Sequence, residues 1–229
     1  MPKFEMQFAS DGKTVGRILK DGADHKKGVV LEQCYSVVSI YFEMAAREID
    51  LSRSLTDQKK LRESGLKCLL FCMTGIEAFT NTYFLLISSN ENRDSILKVI
   101  ESKTGTTLER LKELMKIAFV RKAVHHVSLF GTLSRMQDLR HHIVHPKWVP
   151  SSASFDNIEI RGLVENKLSA CEDKKFIQKT YYWSILLLAE IARLEVGTEV
   201  PGFLFYWAGV FPDLSISEIE EILSIKKKS

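Results

Sequence analysis

Apolar residues along the chain recur mainly at the spacing of an α-helix. Over residues 28–49, and again over 57–87, they fall at intervals of three and four residues, which predicts two long helices. The second helix contains no proline and has a broad apolar surface, so we expect it to lie at the centre of the fold. Shorter helices are predicted near 93–102 and directly after Thr106, whose side chain can cap a helix start.

Two further long helices are predicted in the second half of the chain. One covers residues 127–145 and ends where Pro146 biases the preceding residue away from helical backbone angles. The other runs from Glu172 to about Val196 and is rich in Tyr, Trp, Ile and Leu, which predicts deep burial. The apolar segment after it is interrupted by proline and glycine, which predicts an irregular covering segment, with a short helix over 216–225.

Two stretches outside these helices have the character of strands and turns. Residues 3–20 alternate apolar and polar side chains around an Asp-Gly pair, which predicts a β-hairpin with a tight turn. Residues 150–157 predict a loop, and 157–164 a short strand that could pair with the hairpin. We therefore expect a mainly α protein in three parts: a β-hairpin decoration over 1–25, a helical domain over 26–200, and a C-terminal covering segment with a short helix over 201–229.

The composition is typical of a globular protein in a reducing compartment. The chain has 229 residues, 45% of them hydrophobic, which is enough for one sizeable core. Its four cysteines lack zinc-type spacing, and Cys68 and Cys72 form a helical i, i+4 pair. No signal-like stretch opens the chain, and the apolar-rich run 181–194 is too short to cross a bilayer and contains Glu190. We expect reduced thiols, a cytoplasmic location, no membrane segment and no cofactor.

Positive charge is concentrated in one segment of the chain. Residues 103–148 contain nine Lys and Arg against three acidic residues, and five of the six histidines. Such a segment attracts polyanions, although a solvated helix face is the commoner explanation of a charge run. Within it, Leu139–Pro146 reads LRHHIVHP and carries Arg140 with three histidines. This crowded stretch is the main candidate for chemistry.

Three interpretations of LRHHIVHP compete. His141 and His145 have the i, i+4 spacing that can chelate a metal ion, but His142 stands where a zinc protease has its glutamate base, and Arg140 would repel a cation. We therefore predict no metal site. The second interpretation is structural, since histidines and arginines at a helix end favour the negative end of the helix dipole. The third is RNA cleavage, because arginine can stabilise a charged phosphorane while histidine moves protons.

The segment Arg140-His141-x-x-x-His145 resembles the R-(N/D/H)-x-x-x-H signature of HEPN domains, and GIEAFTN over 75–81 is similar to the central helix of HEPN-like proteins. The resemblance covers about residues 28–196. It implies an up-and-down helical bundle that often forms a symmetric dimer and in many members is a metal-independent endoribonuclease, so an RNA substrate is expected. Non-catalytic members also exist, so an RNA- or protein-binding module and a purely structural helical protein remain alternatives.

The resemblance also assigns roles to residues of this chain. Arg140 and His145 would be the catalytic pair, with His141 supporting the site as the polar residue after the arginine. A defence or toxin-like role, with a cognate antitoxin or partner protein, is expected from the family alone. On a straight helix Arg140 and His145 would lie about 140° apart in projection, and Pro146 could free His145 to turn. One motif supplies few groups for acid, base and phosphate clamp, so we expect a homodimer with a composite site.

Other polar residues could extend this site. Glu77 and Asn81 form an i, i+4 pair on an apolar helix, and Glu77 could orient Arg140 or a histidine. An interhelical hydrogen bond or an exposed edge is the commoner explanation of such a pair. Four further residues are candidates for RNA binding: Lys147 and Trp148 just past the motif, and Arg121 and Lys122 before it.

Overall fold

The structure is a computed structural model of the chain. It describes residues 4–8, 15–20, 23–24, 29–89, 91–102, 104–119, 126–145, 152–155, 158–161, 167–195, 200–210 and 215–223. Within 4–36, 126–127 and 152–168, only the course of strands and helices is described. The chain divides into two compact units, residues 1–36 and 37–229.

The first unit contains a small antiparallel sheet. Strands β1 (Phe4–Phe8) and β2 (Val15–Lys20) pair in the register Phe4 to Lys20, with an irregularity between Gln7 and Phe8. The short strand β3 (Ala23–Asp24) pairs with β2, so the strand order is β1-β2-β3. Helix α1 (Val29–Ser54) begins in this unit and continues into the second.

The second unit is a helical bundle, which confirms that the protein is mainly α. Among the described residues, α1 is followed by five helices whose bounds lie close to the predicted ones or extend them: α2 (Gln58–Leu86), α3 (Arg93–Glu101), α4 (Thr107–Ala118), α5 (His126–Val144) and α6 (Lys174–Glu195). Helix α7 (Val200–Ala208) comes next and was not predicted. A 3-10 helix (Lys167–Glu172) precedes α6, and α8 (Ile216–Ile222) follows α7.

Helix α2 lies at the centre of this bundle, as its pattern predicted. Asp57 caps its start by accepting a hydrogen bond of 2.9 Å from the amide of Lys60. The helix packs against α3, α4, α5, α6 and the 3-10 helix. Gly65 permits the closest of these approaches, because a Cβ at this position would overlap the backbone carbonyl of Cys171. The apolar stripe of α2, including Leu69, is thereby removed from water.

Helix α6 is the other core element. Every residue from Ser184 to Ala192 is buried, because α2, α5, α7 and α8 pack around it. A helix that is apolar on all sides is stable only in such surroundings. Its one buried acid, Glu190, pairs with Arg193 one turn later, which compensates part of the cost of burying a charge.

The segment after α6 differs from its prediction. An irregular cover was expected over PGFLFYWA, but α7 is a regular helix that starts at Val200. Pro201 is tolerated because it lies in the first turn, where its missing amide hydrogen costs no helical bond. Gly209 follows the helix with a φ of 64°, a backbone angle that glycine adopts freely.

The covering role of α7 is nevertheless present. Trp207 packs edge-on against Phe79 of α2, with ring centroids 4.9 Å apart, and against Tyr83 at 5.5 Å. Phe203 approaches Tyr83 at 5.3 Å. These edge-to-face contacts bury the aromatic side chains over the C-terminal part of α2.

A second small sheet also departs from the prediction. Residues expected to form a loop include strand β4 (Ser152–Phe155), which pairs antiparallel with β5 (Ile158–Arg161) in the register Phe155 to Ile158. The predicted strand over 157–164 therefore pairs with its immediate neighbour and not with the N-terminal strands. Pairing across two residues costs less loop-closure entropy than pairing across the length of the chain.

Helix α2 also meets a simple length and composition test for a membrane span, with a mean hydropathy of 1.3 over its most apolar window. Half of that window is buried against the rest of the protein. Core helices of soluble proteins have the same length and composition.

Candidate functional site

The motif predicted from the sequence lies at the C-terminal end of α5. Arg140 and His141 are in its last turns, and the amide of His145 donates a hydrogen bond of 2.8 Å to the carbonyl of His141. Helical hydrogen bonding thus continues as far as His145. The expected turn of His145 away from the helix does not occur at its amide, and Pro146 lies outside the described residues.

Arg140 and His145 nevertheless face one cleft. The cleft has a volume of about 350 Å³ and is formed by α2, the start of α4 and the end of α5. Its lining residues that bear on function are Glu77, Thr106, Arg110, Asp138, Arg140, His141 and His145. Because the cleft is wide enough to reach around the end of α5, two residues five positions apart can both line it without a kink.

Glu77 is the centre of the site. One carboxylate oxygen, Oε1, accepts a hydrogen bond of 3.0 Å from Nη2 of Arg110, and the other, Oε2, accepts one of 3.4 Å from Nη2 of Arg140. The side chain of Glu77 is 30% exposed, that of Arg110 17% and that of Arg140 34%. The contact between Glu77 and Arg140 joins α2 to α5, and it is one of the possibilities that the sequence left open for Glu77.

Arg110 was not among the predicted site residues. The sequence showed it only as part of the basic segment, yet it lies on α4 three residues after buried Thr107 and four before buried Leu114. A cation on the buried stripe of a helix requires an opposite charge on the facing helix. That spacing is the signal that could have identified Arg110 as the partner of an acid, although not which acid.

The two histidines of the motif lie side by side. The ring centroids of His141 and His145 are 5.2 Å apart with the planes tilted by 50°, and both side chains are exposed. His142, between them in the sequence, does not line the cleft. One chain therefore brings two imidazoles and two guanidinium groups to a single cleft.

The start of α4 forms the opposite wall. Thr106 accepts from the amide of Glu109, and the Glu109 carboxylate accepts a hydrogen bond of 2.7 Å from the amide of Thr106. This capping box lowers the pKa of Glu109, because the bonds from Thr106 favour its charged form. Gln137 of α5 accepts from the amide of Leu108 at 3.2 Å, which fixes α4 against α5 at the cleft.

Asn81 has a different setting from Glu77. Its Oδ1 atom is buried and has no hydrogen-bond partner among the described residues, and it is not one of the residues that line the cleft. The predicted pair Glu77 and Asn81 is therefore divided, with Glu77 in the site and Asn81 one turn away along α2. Within the part of the chain that is described, Nε of Arg110 is likewise buried without an acceptor.

Four predicted RNA-binding residues cannot be placed relative to this cleft. Arg121, Lys122, Lys147 and Trp148 lie outside the described residues. Among those that are described, no group of three or more His, Cys, Asp or Glu side chains is arranged to hold a metal ion. The cleft as described is thus a site of arginines, histidines and two carboxylates, those of Glu77 and Asp138.

Comparison of the chain with protein-family models, with curated proteins and with solved structures finds no match. The family resemblance noted above therefore has no support from these comparisons. Any function assigned to the cleft must be argued from the motif and from the contacts of Glu77, Arg110, Arg140, His141 and His145.

Proposed function

We propose that the chain is a metal-independent endoribonuclease of HEPN type, and that its helical unit is a HEPN-like up-and-down bundle to which the N-terminal strands add a β-hairpin. The observation that supports this proposal is the convergence of Arg140, His141 and His145 on one cleft. These are the residues that the motif names, and they combine a fixed cation with two imidazoles, which can both accept and donate protons.

The proposed reaction breaks one phosphodiester bond of RNA. The ribose 2′-oxygen attacks the adjacent phosphorus and loses its proton to one imidazole, while the bond from phosphorus to the 5′-oxygen breaks. The leaving 5′-oxygen takes a proton from the second imidazole in its charged form. The products are a 2′,3′-cyclic phosphate and a 5′-hydroxyl, and DNA is inert because it has no 2′-hydroxyl.

In this scheme His145 is one proton-transfer group, and His141 supports the site as the second imidazole, with its ring centroid 5.2 Å from that of His145. Arg140 binds the scissile phosphate and stabilises the negative charge of the phosphorane. Glu77 is a positioning residue, because its carboxylate fixes the guanidinium of Arg140 through Nη2 and leaves the other N–H donors directed elsewhere.

The homodimer expected from the sequence now depends on the resemblance alone. The argument for it was that one motif supplies too few groups, yet one cleft already contains two imidazoles and two guanidinium groups. A cytoplasmic location, a defence or toxin-like role and a cognate antitoxin or partner are parts of the same proposal. They follow from the family and not from the cleft.

One observation favours a different function. Both arginines of the cleft are already paired with Glu77, and an ion pair that joins α2, α4 and α5 is sufficient reason for a fold to contain them. A non-catalytic module that binds RNA or a protein partner, or a structural helical protein, would need nothing more.

Cleavage of single-stranded RNA in EDTA separates these functions. The native protein is expected to produce 2′,3′-cyclic phosphate ends, and His145→Ala is expected to reduce the rate about 10²- to 10⁴-fold. Arg140→Ala should reduce it to a similar extent, because the phosphorane loses its cation. The matched control is His142→Ala, an exposed histidine of the same helix turn that does not line the cleft.

The proposal fails if a range of RNA sequences stays intact, or if His142→Ala is as damaging as His145→Ala. RNA binding without cleavage would favour the binding module. Neither binding nor cleavage would leave only the structural explanation of the ion pairs.

A further inference from the structure

Arg110 has more hydrogen-bond donors than the described protein supplies acceptors for. A guanidinium group carries five N–H donors, and of these only Nη2 has an acceptor among the described residues, the Oε1 atom of Glu77. Its Nε atom is buried without a partner in the same part of the chain. A buried charged donor without an acceptor is costly, so such a group at the wall of a cleft marks a place where ligand oxygens would bind favourably.

Arg140, on the other side of Glu77, also has hydrogen-bond donors without acceptors among the described residues. Its one hydrogen bond within the described residues is the 3.4 Å contact from Nη2 to Oε2, which leaves its remaining donors unused there. The carboxylate therefore stands between two guanidinium groups and occupies one edge of each. Because each arginine is bound to a different oxygen of Glu77, the remaining donors of the two groups offer two separate positions for anions.

The local charge favours specific binding over general attraction. Arg110 and Arg140 are balanced by Glu77 and Asp138 while the histidines are neutral, and protonation of His141 and His145 adds positive charge. An anion would therefore be held by the directed N–H groups of each arginine. Charge-assisted bonds from arginine to phosphate have this directional character.

We propose that Arg110 binds the phosphate next to the scissile phosphate, so that the cleft accepts an RNA strand with two neighbouring phosphodiesters. The identity of the scissile phosphate, bound by Arg140, rests on the proposed function. The second phosphate position rests on the contacts of Arg110. A volume of about 350 Å³ exceeds what one phosphate group needs, and it lies within the usual range of ligand sites, about 300–1,000 Å³.

The salt dependence of RNA binding tests this arrangement. The probe is a fluorescein-labelled 2′-O-methyl oligouridylate, which cannot be cleaved by attack of a 2′-hydroxyl, and its affinity is measured by fluorescence anisotropy over a range of salt concentrations. Each phosphate contact on a single strand contributes about 0.7 to the slope of log K against log salt concentration. Arg110→Gln and Arg140→Gln should each reduce the slope by about 0.7, and the double variant by about 1.4.

Whether the slope changes of the two single variants add in the double variant shows whether the arginines bind two phosphates or one. If both arginines bound the same phosphate, the double variant would lose only about 0.7, and the proposal would be overturned. An unchanged slope for Arg110→Gln would also overturn it, since a purely structural arginine does not change the number of phosphate contacts. Absence of any binding by the native protein would have the same consequence.

Two controls separate these effects from damage to the fold. Arg62→Gln breaks another interhelical ion pair, that with Glu172, and should leave the slope unchanged because it lies outside the cleft. If Arg110→Gln does not fold, the neutral pair Glu77→Gln with Arg110→Gln is compared with Glu77→Gln alone. The slope should again be lower by about 0.7 for the pair.

The same oligouridylate with free 2′-hydroxyl groups distinguishes failure of the ribonuclease proposal from failure of the second phosphate position. Cleavage of oligouridylate by the native protein, together with an unchanged slope for Arg110→Gln, would overturn the second phosphate position and leave the ribonuclease standing. Binding with the expected slopes but without cleavage would refute the ribonuclease and support Arg110 as a phosphate-binding residue.

Discussion

Glu77 is predicted to interact more strongly with Arg110 than with Arg140. Replacing Glu77 by glutamine removes the negative charge while leaving one oxygen able to accept a hydrogen bond. The consequence differs for the two arginines, because Arg110 is 3.0 Å from the carboxylate and 17% exposed, whereas Arg140 is 3.4 Å away and 34% exposed. A shorter contact and less water both strengthen the attraction between two charges.

The magnitudes follow from this difference in exposure. Loss of one partner of a fully buried ion pair costs about 3–5 kcal/mol, and an exposed pair contributes about 0.2–1 kcal/mol. Since Glu77 is itself about a third exposed, we expect a coupling energy of about 1–2 kcal/mol with Arg110, between these limits. For Arg140, which is more exposed, we expect about 0.5 kcal/mol.

Double-mutant cycles measure these couplings. Each cycle compares Glu77→Gln, an arginine-to-glutamine variant and the double variant by urea denaturation, so that the free energy of unfolding isolates the pair. An equal or larger coupling for Arg140 would refute the reasoning. So would couplings near zero in both cycles, which would mean that Glu77 does not hold either guanidinium.

Two other predictions concern the core. Gly65→Ala should lower the free energy of unfolding by about 1–3 kcal/mol, because the new Cβ overlaps the carbonyl of Cys171. At Gly131 a Cβ meets nothing within 4 Å, so Gly131→Ala should raise the free energy of unfolding by about 0.5–1 kcal/mol. Urea denaturation of both glycine variants measures these free energies of unfolding, and equal changes in the two variants would contradict the prediction. Burial raises the pKa of the Cys171 thiol to about 11 from the reference value of 9.0. At pH 8 the thiolate fraction of Cys171 should therefore be about 100-fold lower in the folded protein than in the unfolded chain, and its rate of alkylation by iodoacetamide should be lower by the same factor. The alkylation rate of the folded protein should rise as the pH approaches 11. Mass spectrometry of the Cys171 peptide measures the rate, and native alkylation as fast as in urea would show that the thiol is not protected.

The helical bundle could be predicted from the sequence because its elements are locally encoded. Helix α2 was anticipated within a residue at each end, since Asp57 is a strong cap and the apolar stripe is uninterrupted from there to Ile87. The start of α4 was anticipated for the same reason, through Thr106. Helix α7 was missed because Pro201 was treated as an interruption, although a proline in the first turn is compatible with a helix.

The site was only half predictable. The spacing of Arg140, His141 and His145 within one helix end is a property of a short stretch of sequence, and so is the position of Glu77 on an apolar helix. That Glu77 also binds Arg110 depends on how α2, α4 and α5 pack, which short-range patterns do not specify. The shape of the cleft, which allows Arg140 and His145 to face it without a kink, depends on that packing too.

Because the motif lies in the last turns of α5, the site can lose its geometry while the rest of the bundle stays folded. Helix ends open locally at much lower free energy than buried helices such as α6, which is enclosed on all sides. Fraying of α5 from His145 back to His141 would break the last helical hydrogen bond and move both imidazoles while leaving α2 and α6 packed. Mild heat or denaturant would then remove the geometry of the cleft well before the bundle unfolds. Among the described contacts, the ion pair from Glu77 to Arg140 and the hydrogen bond from the Leu108 amide to Gln137 would oppose the spread of this opening along the helix.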